Sequence, residues 1–154
     1  MSLEVGDRAP EFSLQADGGS EVALNDYKGK PVVLYFYPKD DTSGCTAEAC
    51  AFRDALPDFG KVKAAVIGIS RDSVASHDKF KAKFKLSFPL ASDEDGLVCQ
   101  AYGVWVEKSM YGRKYMGIER STFLIDGKGV IRKVWRKVKV PGHAEQVLEA
   151  AAAL

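Results

Sequence analysis

The run Pro31-Val32-Val33-Leu34-Tyr35-Phe36-Tyr37, cut off by Pro38, constrains the fold of this chain more than any other stretch. β-Branched and aromatic residues without alternation read as a strand buried on both faces, and such a strand needs a covering layer on either side of its sheet. Pro38 cannot donate to a sheet ladder, so it ends the strand. The chain then enters the polar turn Lys39-Asp40-Asp41-Thr42-Ser43-Gly44, with Thr42 or Ser43 as the N-cap of a helix and Cys45 in its opening turn. Ala47, Cys50, Ala51, Asp54 and Ala55 fall at helical spacing, and Pro57 is expected to stop this helix after roughly three turns.

Upstream, Phe12-Ser13-Leu14-Gln15 and Glu21-Val22-Ala23-Leu24 alternate around Asp17-Gly18-Gly19, which predicts an N-terminal hairpin. Downstream, residues 64–69 read as a second buried strand and residues 73–86 as a helix with Val74, His77, Phe80 and Phe84 near one face. Strand, helix, strand, helix implies a right-handed parallel unit. Phe88-Pro89-Leu90 is a short extended piece and residues 97–102 a short helix. Residues 121–126 and 130–135 flank Gly127-Lys128-Gly129 as a hairpin, and the Ala-rich stretch 144–154 predicts a closing helix. The resulting expectation is an α/β chain on the thioredoxin-like plan: a mixed central sheet flanked by helices, with an N-terminal β-hairpin, forming a single domain over residues 1–154.

Length and composition agree with one ordinary soluble domain, at 154 residues, 46% hydrophobic and 28% charged. With 22 basic and 21 acidic side chains the formal charge is +1, so the chain has no basic footprint for nucleic acid. The opening residues carry no signal-peptide pattern and no apolar run is long enough for a bilayer, so a cytoplasmic protein with no membrane partner is expected. In a reducing cytosol three cysteines are too few for a disulfide framework and are expected to rest as thiols.

A free thiol is only about 3% ionised at pH 7. The unpaired N–H groups and positive dipole end of a helix start favour the thiolate, and Cys45 has that placement. Full ionisation raises the thiolate population only about 30-fold, while a more acidic thiol is a weaker nucleophile. A fast reaction at this sulfur therefore needs further groups that hold the attacked atom and stabilise the leaving one. Thr42 and the N–H groups of Ser43, Gly44 and Cys45 are local candidates, with an arginine required from elsewhere. The bland alternatives are that Cys45 is a small residue filling a helix start and that Cys50 packs on an Ala-lined face. Five residues of helix put the two Cα atoms roughly 8–9 Å apart on nearly opposite sides. A disulfide needs about 7 Å or less, so pairing of Cys45 with Cys50 requires the first turns to unwind. Cys45, Cys50, Cys99, His77 and His143 have no zinc-site spacing, and no glycine-rich nucleotide loop follows a strand, so no metal or other cofactor is expected. Each histidine reads as a capping, packing or surface group.

On these residues the chain resembles the peroxiredoxins of the bacterioferritin comigratory protein subfamily, also called peroxiredoxin Q. Pro38, Thr42 and Cys45 match Pro-x-x-x-Thr-x-x-Cys, and Gly44-Cys45-Thr46-Ala47-Glu48-Ala49-Cys50 matches the longer Gly-Cys-Thr-x-Glu-x-Cys form. The blocks at residues 5–12 and 117–126 extend the likeness over nearly the whole chain. The resemblance implies a thioredoxin-like fold and a thiol peroxidase acting on hydrogen peroxide and organic hydroperoxides. It implies Cys45 as the peroxidatic cysteine, Thr42 as the residue that orients the peroxide, Pro38 as a shield of the pocket and Arg120 as the required arginine. It also implies Cys50 as the resolving cysteine, giving an intramolecular disulfide recycled by thioredoxin or a related dithiol protein, and hence a monomer. Cys99 has no matched role and reads as a buried thiol rather than a second resolver. Glu48 reads as a solvated helix residue rather than an arginine partner. Trp105, Met110, Tyr111, Tyr115 and Met116 read as packing rather than a substrate mouth, with Glu107-Lys108 as a solvated turn. Competing functions are a protein thiol–disulfide oxidoreductase, for which the Cys-x-x-Cys spacing is missing, and a non-enzymatic redox sensor or holdase.

Overall fold

Residues 3–154 are described by a computed structural model of the chain. β1 (Ser13–Gln15) and β2 (Glu21–Ala23) form the expected N-terminal hairpin, with a 3-10 turn at Asp17–Gly19 between them. Then follow β3 (Val32–Phe36), α1 (Ser43–Lys61), β4 (Ala65–Ser70), α2 (Val74–Phe84), β5 (Leu90–Ser92) and α3 (Leu97–Ala101). β6 (Trp105–Met110) and β7 (Arg113–Ile118) make a second hairpin, followed by β8 (Ser121–Ile125), β9 (Ile131–Trp135) and α4 (His143–Ala152).

The main sheet has five strands in the order β5-β4-β3-β8-β9. β3 is central, parallel to β4 and antiparallel to β8, so the sheet is mixed as expected. Because side chains alternate along a strand, Val32, Leu34 and Phe36 enter a core shared with Ile67, Tyr102 and Phe123. Val33, Tyr35 and Tyr37 enter the opposite core, beneath Phe52 and Phe59 of α1 and Val147 of α4. Both faces are covered, which is why the strand tolerates an unbroken apolar sequence.

Pro57 does not stop α1, which runs through it to Lys61. A proline inside a helix costs about 3 kcal/mol. Burying Phe59 beyond it contributes roughly 1.5–3 kcal/mol, which offsets most of that cost, and Val62 packs against the same core to add to it. The segment 105–118 also departs from expectation, since it is a two-stranded ribbon turning at Tyr111-Gly112, both at positive φ. Tyr111 is 99% exposed there, and the ribbon's own strands have no alternation that marks a core face. Among the described residues no helix is long and apolar enough to cross a membrane.

Candidate active site

The chain leaves β3 and turns back on itself before α1, with Asp41 in the left-handed region at φ 59°. Thr42 is the N-cap by position, but its hydroxyl donates to the Lys39 carbonyl at 2.9 Å and makes no side-chain cap. The helix begins with the bond from Thr46 N–H to the Thr42 carbonyl, at 2.8 Å. The N–H groups of Ser43, Gly44 and Cys45 therefore have no acceptor inside the helix and turn their positive ends toward its opening turn. Cys45 sits there almost wholly buried, in the core that also holds Tyr35, Ala49 and Phe52.

Arg120 comes to this sulfur through the sheet. The pairing of β8 with β3 sets Ser121 opposite Phe36, so the residue before β8 emerges beside the end of β3 and the turn after it. Its Nη2 donates to Cys45 Sγ at 3.3 Å and its Nη1 to Glu48 Oε1 at 2.7 Å. Glu48 is one helical turn beyond Cys45 and 1% exposed, so the reading of a solvated glutamate is corrected: it is the arginine's buried partner. Burial pushes its carboxyl up to about 7 while the Arg120 charge and hydrogen bond hold it down. Its second oxygen has no hydrogen-bond partner among the described residues. Gly44 makes room for the guanidinium, because a Cβ there would lie 3.1 Å from Nη2. A cation is thus placed to stabilise both an ionised sulfur and the atom expelled from the one that sulfur attacks.

Cys50 lies farther along the same unbroken helix, half-buried, and all three cysteines are free thiols. The structure thus brings Cys45 together with Arg120 and Glu48, sets Pro38 and Thr42 in the adjoining turn, and leaves Cys50 outside this group. Cys99 is fully buried in α3; burial and the neighbouring Asp93 carboxylate push its thiol far above the ordinary range, leaving an inert sulfur. His143 is also buried, with Nε2 2.8 Å from Thr122 Oγ1, and burial together with the Arg120 charge pushes it down to about 4. It is a neutral packing group between Phe52 and Trp135.

A cleft of about 350 Å³ opens beside the turn, lined by Pro38, Trp105, Lys108, Tyr115, Met116 and Ile118 among others. The reading of these aromatic and Met residues as packing is corrected for Tyr115 and Met116, which are exposed in the cleft wall, and for Met110 and Tyr111 at the ribbon tip. Glu107 and Lys108 belong to β6 rather than to a turn. Partial burial and the Arg120 charge pull Lys108 below the ordinary lysine range, which places its amine within the field of the site. Among the described residues the grouping with metal-ligand proximity is Asp40, Asp72 and His77, whose ligand atoms lie within 4.8 Å of one another. Those atoms are already engaged in hydrogen bonds with each other and with Tyr37, Ser70 and Ser76.

Comparison with known proteins places this geometry in company. The AhpC/TSA family model matches residues 5–134. A Coxiella burnetii protein carrying the name peroxiredoxin bcp is 57% identical over 148 residues, covering 96% of this chain and 98% of its own. Peroxiredoxin Bcp of Bacillus subtilis is 51% identical, covering 97% of this chain and 95% of its own. A solved structure of the Xanthomonas campestris bacterioferritin comigratory protein, described for its alkyl peroxide reduction activity, superposes with TM-score 0.88 at 49% identity, covering 92% of this chain and 90% of that one.

Proposed function

The chain belongs to the AhpC/TSA family and is a peroxiredoxin of the Bcp kind, a thiol peroxidase, and from that premise we propose which residues carry the reaction. Cys45 thiolate attacks the terminal oxygen of a hydroperoxide; the O–O bond breaks, the sulfur becomes a sulfenic acid, and the departing oxygen takes a proton as water or alcohol. The observation that carries this reading is the fork of Arg120 between Cys45 Sγ and Glu48 at a helix start. One guanidinium faces the thiolate before attack and the leaving oxygen during it, which ionisation of the thiol alone does not supply. Pro38 shields the turn, and Thr42, released from its hydrogen bond to Lys39, orients the peroxide. The partly apolar cleft beside Pro38 supports organic hydroperoxides alongside hydrogen peroxide.

Cys50 resolves the sulfenic acid: its sulfur attacks Cys45 sulfur, the S–O bond breaks, the hydroxyl leaves as water with the proton given up by the Cys50 thiol, and an intramolecular disulfide forms. The two positions in one wound helix require the first turns of α1 to unwind for this step. Thioredoxin or a related dithiol protein then reduces the disulfide by exchange. Because the resolver lies in the same chain, the enzyme works as a monomer, one domain over residues 1–154, in the cytoplasm. Peroxide-dependent oxidation of reduced thioredoxin tests the assignment. Cys45→Ser is expected to abolish turnover and Cys50→Ser to leave one oxidation per chain; full turnover by Cys45→Ser refutes the nucleophile.

A further inference from the structure

Beneath the turn that carries Cys45 lies a buried polar network that the peroxidase reading leaves unused. Asp40 is 7% exposed and its carboxylate is bound from separate elements. Tyr37, at the end of β3, donates to Oδ1 at 2.5 Å. From α2, Ser76 donates to Oδ2 at 2.8 Å and His77 Nδ1 lies 2.7 Å from the same oxygen. The Asp40 backbone N–H in turn donates to Asp72 Oδ2 at 2.9 Å, an oxygen that also accepts from Ser70 Oγ.

His77 is fully buried, and its second nitrogen, Nε2, lies 3.0 Å from the Ala91 carbonyl of β5. The Asp40–His77 contact joins α2 to the turn between β3 and α1. Lys83 of α2 adds an exposed contact to Asp41, at 2.8 Å, in the same turn.

We propose that His77 is a positioning residue for the peroxidase reaction: through Asp40 it holds the residue 38–45 turn against α2 in the wound form, and so sets the partition of oxidised Cys45 between two fates. This rests on the assignment of Cys45 and Cys50 given above. In the unwound form, Cys45 sulfenic acid and Cys50 thiol condense to a disulfide and water. In the wound form, Cys45 sulfenate meets a second hydroperoxide, takes one oxygen and becomes sulfinate, with release of alcohol or water. A turn fastened to α2 favours attack on peroxide and exposes the sulfenate longer. A loosened turn slows the first attack and speeds resolution.

Two variants of His77 separate its contacts. Gln places its amide near Nε2 and keeps the Ala91 bond while losing Asp40; Asn places its amide near Nδ1 and keeps a donor to Asp40. In His77→Gln the peroxide concentration that over-oxidises half the enzyme during turnover is expected to rise about tenfold, the equilibrium worth of one charge-assisted hydrogen bond. The rate of Cys45 oxidation is expected to fall by a similar factor, and His77→Asn to stay within about threefold of the parent on both measures. Loss of fold stability alone lowers the melting temperature of both variants and leaves the partition of the folded enzyme unchanged. An unchanged partition in folded His77→Gln overturns the proposal. Should that variant not fold, Ser76→Ala, which removes the other α2 donor to Asp40 Oδ2, decides: a smaller shift of both measures in the same direction is expected, and an unchanged partition overturns the anchoring of the turn through Asp40. Mapping of the disulfide in the parent enzyme is read separately, so failure of the Cys45–Cys50 assignment is distinguished from failure of the His77 role.

Discussion

Replacing Arg120 by methionine removes the guanidinium while keeping much of its aliphatic volume, and its effect on rate can be worked from the site. Nη2 lies 3.3 Å from Cys45 Sγ, which puts the centre of the cation about 4 Å from the sulfur. At an effective dielectric of ~20 that attraction is ~4 kcal/mol. The Arg120 side chain is 16% exposed and shared with Glu48, so about half, ~2 kcal/mol, is a reasonable net value for the thiolate. Ionisation of a thiol can account for at most about 30-fold at pH 7, because an ordinary free thiol is already about 3% thiolate there. Lost acidity returns nucleophilicity with a slope near 0.4–0.5, so ionisation alone accounts for less than about tenfold in rate. The donor to the leaving oxygen is the larger loss, about 10²–10³-fold for one such group. Arg120→Met is therefore expected to lower the second-order rate constant with peroxide at pH 7 by about 10³-fold, and raising the pH to recover less than about tenfold of it. The fold should survive, because Glu48 without its partner keeps its proton rather than staying charged in the core. Stopped-flow oxidation of Cys45 across pH is the assay. Full recovery at high pH refutes the leaving-group role, and an unchanged rate at pH 7 removes Arg120 from the site.

Glu48→Gln keeps the acceptor for Arg120 and fixes the neutral state. The parent's peroxide rate should carry a falling component as pH rises through about 7, where Glu48 ionises and competes for Arg120, and the variant should lack it. The raised carboxyl also means that its contribution to stability is present below about 4.5 and lost as pH rises through about 7, so the variant's stability advantage in urea denaturation should grow over that window. His143 acts with the opposite sign. Its value is depressed to about 4 from 6.5, so its contribution is complete above 6.5 and lost as pH falls toward 4, and His143→Gln should flatten that slope. Gly44→Ala sets a Cβ 3.1 Å from Arg120 Nη2 in a helical position that favours alanine. Peroxidase assays and thermal melts should show reduced activity without reduced stability; unchanged activity contradicts the need for close approach.

What the sequence made legible was local. The unbroken apolar run gave β3 and its two covered faces, and Pro38 followed by a capping turn placed Cys45 at a helix start. Arithmetic on thiol ionisation made a remote cation necessary, but only the family resemblance named Arg120. Strand pairing of β8 with β3 brings it there across 75 residues, and no periodicity encodes that. A charged residue in a helix's early turns is ordinarily solvated, so the burial of Glu48 has no local signal and depends on that same distant arginine. The Asp40–His77 pair likewise joins residues 37 apart with no local pattern. Pro57 does not stop α1 because Phe59 packs beyond it, and the 105–118 ribbon carries no strand signal because it buries too little to show alternation.

Cys45, oxidised by peroxide, is expected to form its bond with Cys50 in the same chain. Mass mapping of the enzyme after one equivalent of hydroperoxide, with free thiols blocked and no reductant, tests it directly. A peptide joining Cys45 to Cys50 within one monomer is the predicted product. A Cys45–Cys99 linkage, a linkage between two chains, or Cys45 left as free thiol while peroxide is consumed contradicts that pairing.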